Sequence, residues 1–232
     1  MVDGRAVESL VVGVLGGTGP MGRGLAVRLA ASGQRMLLGS RDANRAAQVA
    51  QAATVRATAA ASGGVNVSVQ GGSNTDVAGA ADIALVTVPY AGHAHALADL
   101  VTPLAGKIVV DCVVPRGWDE LGAYVLDVPE GSACQQAAAL LPDSFVVGAF
   151  HHLSAVLLED LSCPTLDGDV MVVGDTREAN DLVQQLAGRL PGIRGVYAGR
   201  LRDAGAVEAL GNNLIAINRR YQEPPGIRIT GV

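Results

Sequence analysis

Aromatic residues are scarce in this chain. They make up 3% of its 232 residues, too few for a surface that stacks nucleic-acid bases. Lysine occurs once, at Lys107, and the rest of the 17 basic side chains are arginines; a catalytic lysine therefore has a single candidate. The 3 cysteines, Cys112, Cys134 and Cys163, are odd in number and widely spaced, with no C-x-x-C. That pattern argues against a disulfide framework and against a zinc site. A net charge of −5 gives no sign of a polyanion-binding protein. No apolar run reaches the length of a membrane span, and Met1-Val2-Asp3-Gly4-Arg5 lacks a signal-peptide pattern. The expectation is a soluble cytoplasmic protein. Its length and its 49% hydrophobic content suit one sizeable α/β domain with a small companion.

What is abundant is glycine, 30 residues in all, and its densest run is informative. Leu10–Leu15 is an apolar strand candidate that empties into Gly16-Gly17-Thr18-Gly19-Pro20-Met21-Gly22-Arg23-Gly24, and helical spacing resumes at Leu25. Gly17, Gly19 and Gly22 form G-x-G-x-x-G between a strand and a helix. One glycine makes the tight turn, one admits a pyrophosphate to the backbone, and one lets helix and strand pack closely. The helix N-terminus then offers free N–H groups and partial positive charge to phosphates.

Further along, strand-like runs alternate with helix-compatible stretches. Strands are expected at Arg35–Gly39, Val65–Val69, Asp82–Val88, Lys107–Val113, Ser144–Ala149 and Asp169–Gly174. Helices are expected over 43–61, 92–104, 176–190 and 203–220. This alternation implies right-handed βαβ units and a parallel sheet. The fold class is α/β, a Rossmann-type doubly wound parallel sheet with a smaller C-terminal α/β unit. The soft boundary falls near residue 150, giving a nucleotide-binding domain at 1–150 and a smaller unit at 151–232.

The end of the second strand decides which nucleotide fits. An acidic residue there binds the ribose 2′-OH of NAD; this chain has Ser40 and Arg41 instead, with Arg45 one helical turn on. A hydroxyl and guanidinium groups suit a 2′-phosphate, so NADP is favoured over NAD. Asp42 reads as the N-cap or a first-turn residue of the next helix.

Taken with Gly39-Ser40-Arg41, Val86-Thr87-Val88-Pro89, Val113-Val114-Pro115 and Gly148-Ala149-Phe150-His151, the glycine turn resembles that of the NADPH:coenzyme F420 oxidoreductases. That family exchanges hydride between NADP and an 8-hydroxy-5-deazaflavin. The resemblance runs from about residue 10 to 220 and takes in Val207-Glu208-Ala209-Leu210. It implies that Thr18, Pro20 and Met21 contact the pyrophosphate region, and Ser40, Arg41 and Arg45 the 2′-phosphate. Pro89 and the backbone around Ala155 would flank the nicotinamide. Val113, Val114 and Pro115 would wall the deazaflavin pocket, with His151 nearby. It also implies a homodimer.

Hydride transfer between two ring cofactors needs orientation and excluded water more than side-chain chemistry. No essential acid or base is expected. Two other readings stay open: an NADP-dependent dehydrogenase or reductase of a small hydroxy acid or imine, which needs a positioned proton carrier, and a non-catalytic NADP sensor. Lys107 opens a strand at the far end of the sheet, a poor place for such a carrier. His93, His95, His151 and His152 find no carboxylate or cysteine at a familiar metal-ligand spacing. They read as surface or cofactor-edge histidines, with no metal. Arg116, Arg219, Arg220 and Arg228 are candidates to attract an anionic deazaflavin tail.

Overall fold

Successive residues of the central strands bury on opposite faces, as the two-residue period of a strand requires. Ile83 and Leu85 pack into one apolar layer, Ala84 and Val86 into the other. Ile108 and Val110 oppose Val109 in the same way, and Val172 opposes Val173. A sheet apolar on both faces must be covered on both.

In the computed structural model, which describes residues 4–232, the first half of the chain runs β1 (Val11–Leu15), α1 (Pro20–Ala31), β2 (Arg35–Ser40), α2 (Ala43–Ala60), β3 (Ser68–Ser73), α3 (Asn74–Ala80), β4 (Ile83–Val86), α4 (His93–Ala98), α5 (Val101–Leu104) and β5 (Ile108–Asp111). A hairpin of β6 (Arg116–Asp119) and β7 (Gly122–Val125) follows, then α6 (Ala133–Leu140) and β8 (Phe145–Gly148). The chain closes with α7 (Ala155–Glu159), β9 (Gly168–Gly174), α8 (Arg177–Ala187), β10 (Ile193–Gly199) and α9 (Ala204–Tyr221). Residues 1–3, part of the segment read for a signal pattern, lie outside the described residues.

The eight-stranded sheet has the order β10-β9-β8-β5-β4-β1-β2-β3. From β3 to β8 it is parallel and doubly wound, reversing direction between β1 and β4. Ligands bind such sheets at that reversal, outside the carboxyl ends of the strands. β9 runs antiparallel to β8 and pairs with it only through Val147–Gly174 and Gly148–Val173. Most of β9 therefore overhangs the carboxyl end of β8, and with β10 parallel to it it forms a wall beside the crevice.

Three expectations change. The strand expected at Val65–Val69 is displaced to Ser68–Ser73. Gly71 lies within that strand under α2, where a Cβ would sit 2.3 Å from the Ala46 carbonyl oxygen. The single helix expected over 92–104 breaks into α4 and α5 around Asp99 and Leu100; Pro103 is tolerated within the first turn of α5 but not mid-helix. The sheet is mixed at the β8–β9 pair rather than parallel throughout. The β6–β7 hairpin, the helices α3, α6 and α7, and β10 are additions to the sequence reading.

Candidate functional site

The glycine turn closes on itself and on β2. The Gly17 N–H donates to the Gly39 carbonyl (2.8 Å) and the Gly19 N–H to that of Gly16 (3.1 Å). Gly16 has φ +73°, the left-handed region natural to glycine. A Cβ on Gly22 would lie 2.7 Å from Gly17 Cα and 2.8 Å from Thr87 Oγ1, so close packing demands glycine there. Gly19 differs: a Cβ would meet only the Gly16 oxygen, at 3.6 Å. Its open space faces no protein group, as the phosphate-approach position requires. Gly19 is also the N-cap of α1, without a side-chain capping bond, and Pro20 stands at the first turn. The leading N–H groups of α1 are thus free for an anion.

Ser40, Arg41 and Arg45 gather at the adjacent strand end. Ser40 is buried and its Oγ accepts from the Asp42 N–H. Asp42 caps α2, its Oδ1 accepting from the N–H groups of Asn44 (3.0 Å) and Arg45 (3.1 Å). The exposed guanidiniums of Arg41 and Arg45 make no hydrogen bond or ion pair with any described residue. Asn74 holds the two loops together, and sequence reasoning missed it. Its Oδ1 accepts from the Gly16 N–H at 3.1 Å.

A cavity of about 590 Å³ opens beside this turn. It brings together Met21, Pro89, Val113, Val114, His151 and Ala155 from the sequence reading. Of the four arginines offered for an anionic tail it takes in Arg116, and it adds Tyr90, Leu214, Ile215, Asn218, Pro224 and Pro225. Met21 belongs to the first turn of α1, so the cavity is continuous with the glycine turn. Pro115 is not in the wall; its carbonyl accepts from the Leu126 N–H at the base of the hairpin. Arg116 is half-buried, its Nε donating to Asn212 Oδ1 at 2.7 Å. Arg219 and Arg220 are exposed on α9, and Arg228 pairs with Asp167. The Pro-Pro-Gly run at 224–226 was the one signal in the sequence for the tail's part in this wall.

The histidines are mostly not at the surface. His95 is exposed, but His93 is buried against Asp111 and Gln136, and His151 and His152 are buried where the chain turns at Phe150, just past the end of β8. Phe150 is fully buried with φ +67°, a conformation rare for so bulky a residue. Desolvation pulls the His151 pKa down to about 4 against the nearby Asp111 charge. Burial also lowers that of His152, whose Nε2 donates to the Asp169 carbonyl at 2.7 Å. Both rings are neutral near pH 7.

The fold supplies His151 with the carboxylate and thiol that linear spacing had denied it. Ligand-type atoms of Asp111, Cys134 and His151 lie within 4.8 Å of one another. The two Asp111 oxygens are already engaged, by His93 Nε2 and the Val113 N–H, and burial pushes the Cys134 thiol pKa well up. Lys107 spends its ammonium on the carbonyls of Ala78, Gly79 and Ala81, at the opposite end of the sheet. Glu208, inside the resemblance on α9, caps α6 through the N–H groups of Ala133 and Cys134, both at 3.0 Å.

The family described as NADP oxidoreductase, coenzyme F420-dependent, has a model that matches residues 11–115. An F420-dependent NADP reductase of Methanothermobacter marburgensis is 35% identical, over 95% of this chain and 98% of its own length. The chain belongs to the family of F420-dependent NADP reductases. A second member, from Methanocaldococcus jannaschii, is 33% identical over 95% of this chain and 98% of its own. The fold recurs in a crystal structure titled as an F420-dependent NADP-reductase from Arthrobacter sp. FB24, with a TM-score of 0.78, 23% identity, and coverage of 96% of this chain and 100% of that one. The segment matched by the family's model takes in the glycine turn, Ser40, Arg41 and the cavity-lining Val113 and Val114.

Proposed function

We propose that this protein exchanges hydride between NADP(H) and coenzyme F420. The observation that carries the reading is the continuity, through Met21, of an uncapped helix N-terminus with a largely apolar cavity of about 590 Å³. One half suits a dinucleotide phosphate and the other a pair of flat rings. Arg41 and Arg45, free of protein partners, fit a 2′-phosphate, and the open space at Gly19 fits a pyrophosphate.

When both are bound, a hydride would pass directly between the nicotinamide and the deazaflavin ring, with the one accompanying proton exchanged with solvent. The chain's own residues bind, orient and exclude water. Gly17 and Gly22 hold the turn, Gly19 and Thr18 border the pyrophosphate, and Pro20 presets the helix start. Ser40, Arg41 and Arg45 take the 2′-phosphate. Met21 borders the pyrophosphate and leads into the cavity, where Pro89 and Ala155 flank the nicotinamide and Val113 and Val114 wall the second ring. His151, neutral at pH 7, supplies a hydrogen bond at most. Arg116, fixed by Asn212 at the cavity wall, is the best placed of the four arginines to attract an anionic tail.

On this reading residues 1–150 bind the nucleotide and 151–232 complete the second pocket. The working form is a homodimer in the cytoplasm, with exposed apolar side chains on the hairpin and α9 (Trp118, Leu121, Tyr221) as its seam. Light scattering of the purified protein tests the dimer.

The functional test mixes protein, NADPH and oxidised deazaflavin without oxygen and follows the visible absorbance of the deazaflavin. Bleaching with turnover is expected. Reduction of a hydroxy-acid precursor or an imine in its place would assign a dehydrogenase, and tight NADPH binding without any turnover would assign a sensor.

A further inference from the structure

His93 and Asp111 are both fully buried, and no step of the hydride exchange uses them. His93 Nε2 lies 2.6 Å from Asp111 Oδ2, and His93 Nδ1 lies 2.9 Å from Gln136 Oε1. The amide of Gln136 is oriented by its own donor bond to Glu130 Oε2, at 3.2 Å. Both ring nitrogens therefore face oxygen acceptors, and an imidazole with two acceptors must donate twice. A ring that donates to both would carry one proton beyond its neutral form. Burial opposes that proton; the hydrogen bond and charge of Asp111, aided by Gln136 and Glu208, outweigh it and raise the His93 pKa.

Each partner also holds one wall of the cavity. Asp111 Oδ1 accepts from the Val113 N–H at 2.9 Å, fixing the chain where it leaves β5. His93 begins α4 directly after the 90–92 turn, and its ring stacks with that of Tyr90 at 6.3 Å between centroids and 28° between planes. The Gly92 N–H returns to the Pro89 carbonyl at 3.0 Å, so the whole turn moves with His93. Pro89, Tyr90 and Val113 all line the cavity.

We infer that His93 and Asp111 form a positioning pair that ties the Pro89–Gly92 turn to the end of β5 and so sets the width of the gap into which the second ring enters. The inference rests on the proposed exchange with a deazaflavin, but the pair itself can be examined without one. Neither residue touches the glycine turn or Arg41 and Arg45, so NADPH affinity should fall far less than deazaflavin turnover, although the turn the pair holds carries Pro89 beside the nicotinamide.

Asp111→Ala and Asp111→Asn are the test. Asparagine keeps an acceptor for Val113 and gives His93 Nε2 a donor, so it preserves both ties without the extra proton. Asp111→Ala is expected to lower kcat/KM for the deazaflavin on the order of 100-fold, chiefly in kcat, as a misplaced reacting ring does. The NADPH dissociation constant, measured by fluorescence, should change far less than kcat/KM, because the phosphate contacts at the helix N-terminus are untouched. Asp111→Asn should recover most of the loss. Nitrogen NMR of His93 should show both ring nitrogens protonated in the wild type and one in Asp111→Asn.

An Asp111→Ala enzyme with unchanged deazaflavin kinetics, or with NADPH binding damaged equally, overturns the pair's role. So does an asparagine variant no better than alanine, or a singly protonated His93 in the wild type. A doubly protonated His93 in a protein that reduces no deazaflavin overturns the functional reading and leaves the pair's protonation standing, while ending its proposed part in catalysis. Should Asp111→Ala not fold, His93→Gln takes its place with an expected loss of about tenfold, judged by the same split between deazaflavin kinetics and NADPH binding.

Discussion

Gly19 and Gly22 belong to one fingerprint but are glycine for different reasons, and that difference is measurable. A methyl on Gly22 collides with Gly17 Cα at 2.7 Å, so Gly22→Ala should lower both thermal stability and NADPH affinity. A methyl on Gly19 meets nothing closer than 3.6 Å. Gly19→Ala should leave the melting midpoint in place while NADPH affinity falls, read by calorimetry and fluorescence titration. At His151 the variable is pH. Desolvation holds its folded pKa at about 4, below the ordinary value, so the unfolded chain takes up the proton more readily. Stability contributed by the neutral ring is complete above about pH 6.5 and is lost as pH falls toward 4, up to about 3 kcal/mol. Urea unfolding between pH 7 and 4 should show that slope, and His151→Asn should flatten it. The pair-forming residues were poorly legible beforehand. Nothing in the spacing of His93, Asp111 and Gln136 announces that three different elements deliver them to one point, whereas Asp42 as a helix cap was readable because capping is local.

Among the elements, α1 does two jobs, and only one is written in its fingerprint. Its N-terminus faces the phosphate site, while its far side is stapled to the loop around α7. Gly24 lets Leu158 approach, since a Cβ there would stand 2.5 Å from Leu158 Cβ. Arg28, buried, donates to the carbonyls of Leu157, Leu158, Asp160, Cys163 and Pro164. Arg28→Leu would strand these acceptors and should cost about 3 kcal/mol in urea denaturation. The central strands were legible because their uninterrupted apolar runs need cover on both faces. β3 was not, because Gly71 and Gly72 look like a turn until α2 is seen lying across them. The 92–104 segment failed for a related reason: apolar periodicity carried the helix reading across Asp99 and Leu100, and Pro103 was overlooked.

Across the whole molecule, the tail after α9 is a structural component rather than a loose end. The Asp169 N–H donates to the Ile227 carbonyl at 2.7 Å, and the Ile229 N–H donates back to Asp169 Oδ2 at 2.6 Å. Arg194 binds both oxygens of Asp169 at 2.7 Å and the carbonyls of Ile229 and Val232 at 2.8 Å. A Cβ on Gly226 would lie 2.7 Å from the Asp167 carbonyl oxygen, so the tail fits its seat closely. Pro224 and Pro225 thereby reach the cavity wall. Deleting residues 224–232 should raise KM for the deazaflavin and leave the NADPH dissociation constant in place, since the phosphate cradle lies on α1 and β2.

The sequence by itself determined the strand–turn–helix start of the α/β fold, the glycine turn and the Ser40–Arg41–Arg45 cluster, because each is built from residues close along the chain with one local geometry. The second cavity was different. Its walls come from the ends of β4, β5 and β8, from α9 and from the tail, and only tertiary packing brings them together. The same packing drew three of four histidines out of water and set His93 against a carboxylate eighteen residues away. Burial and long-range pairing decide what those side chains do, and neither is a property of sequence spacing.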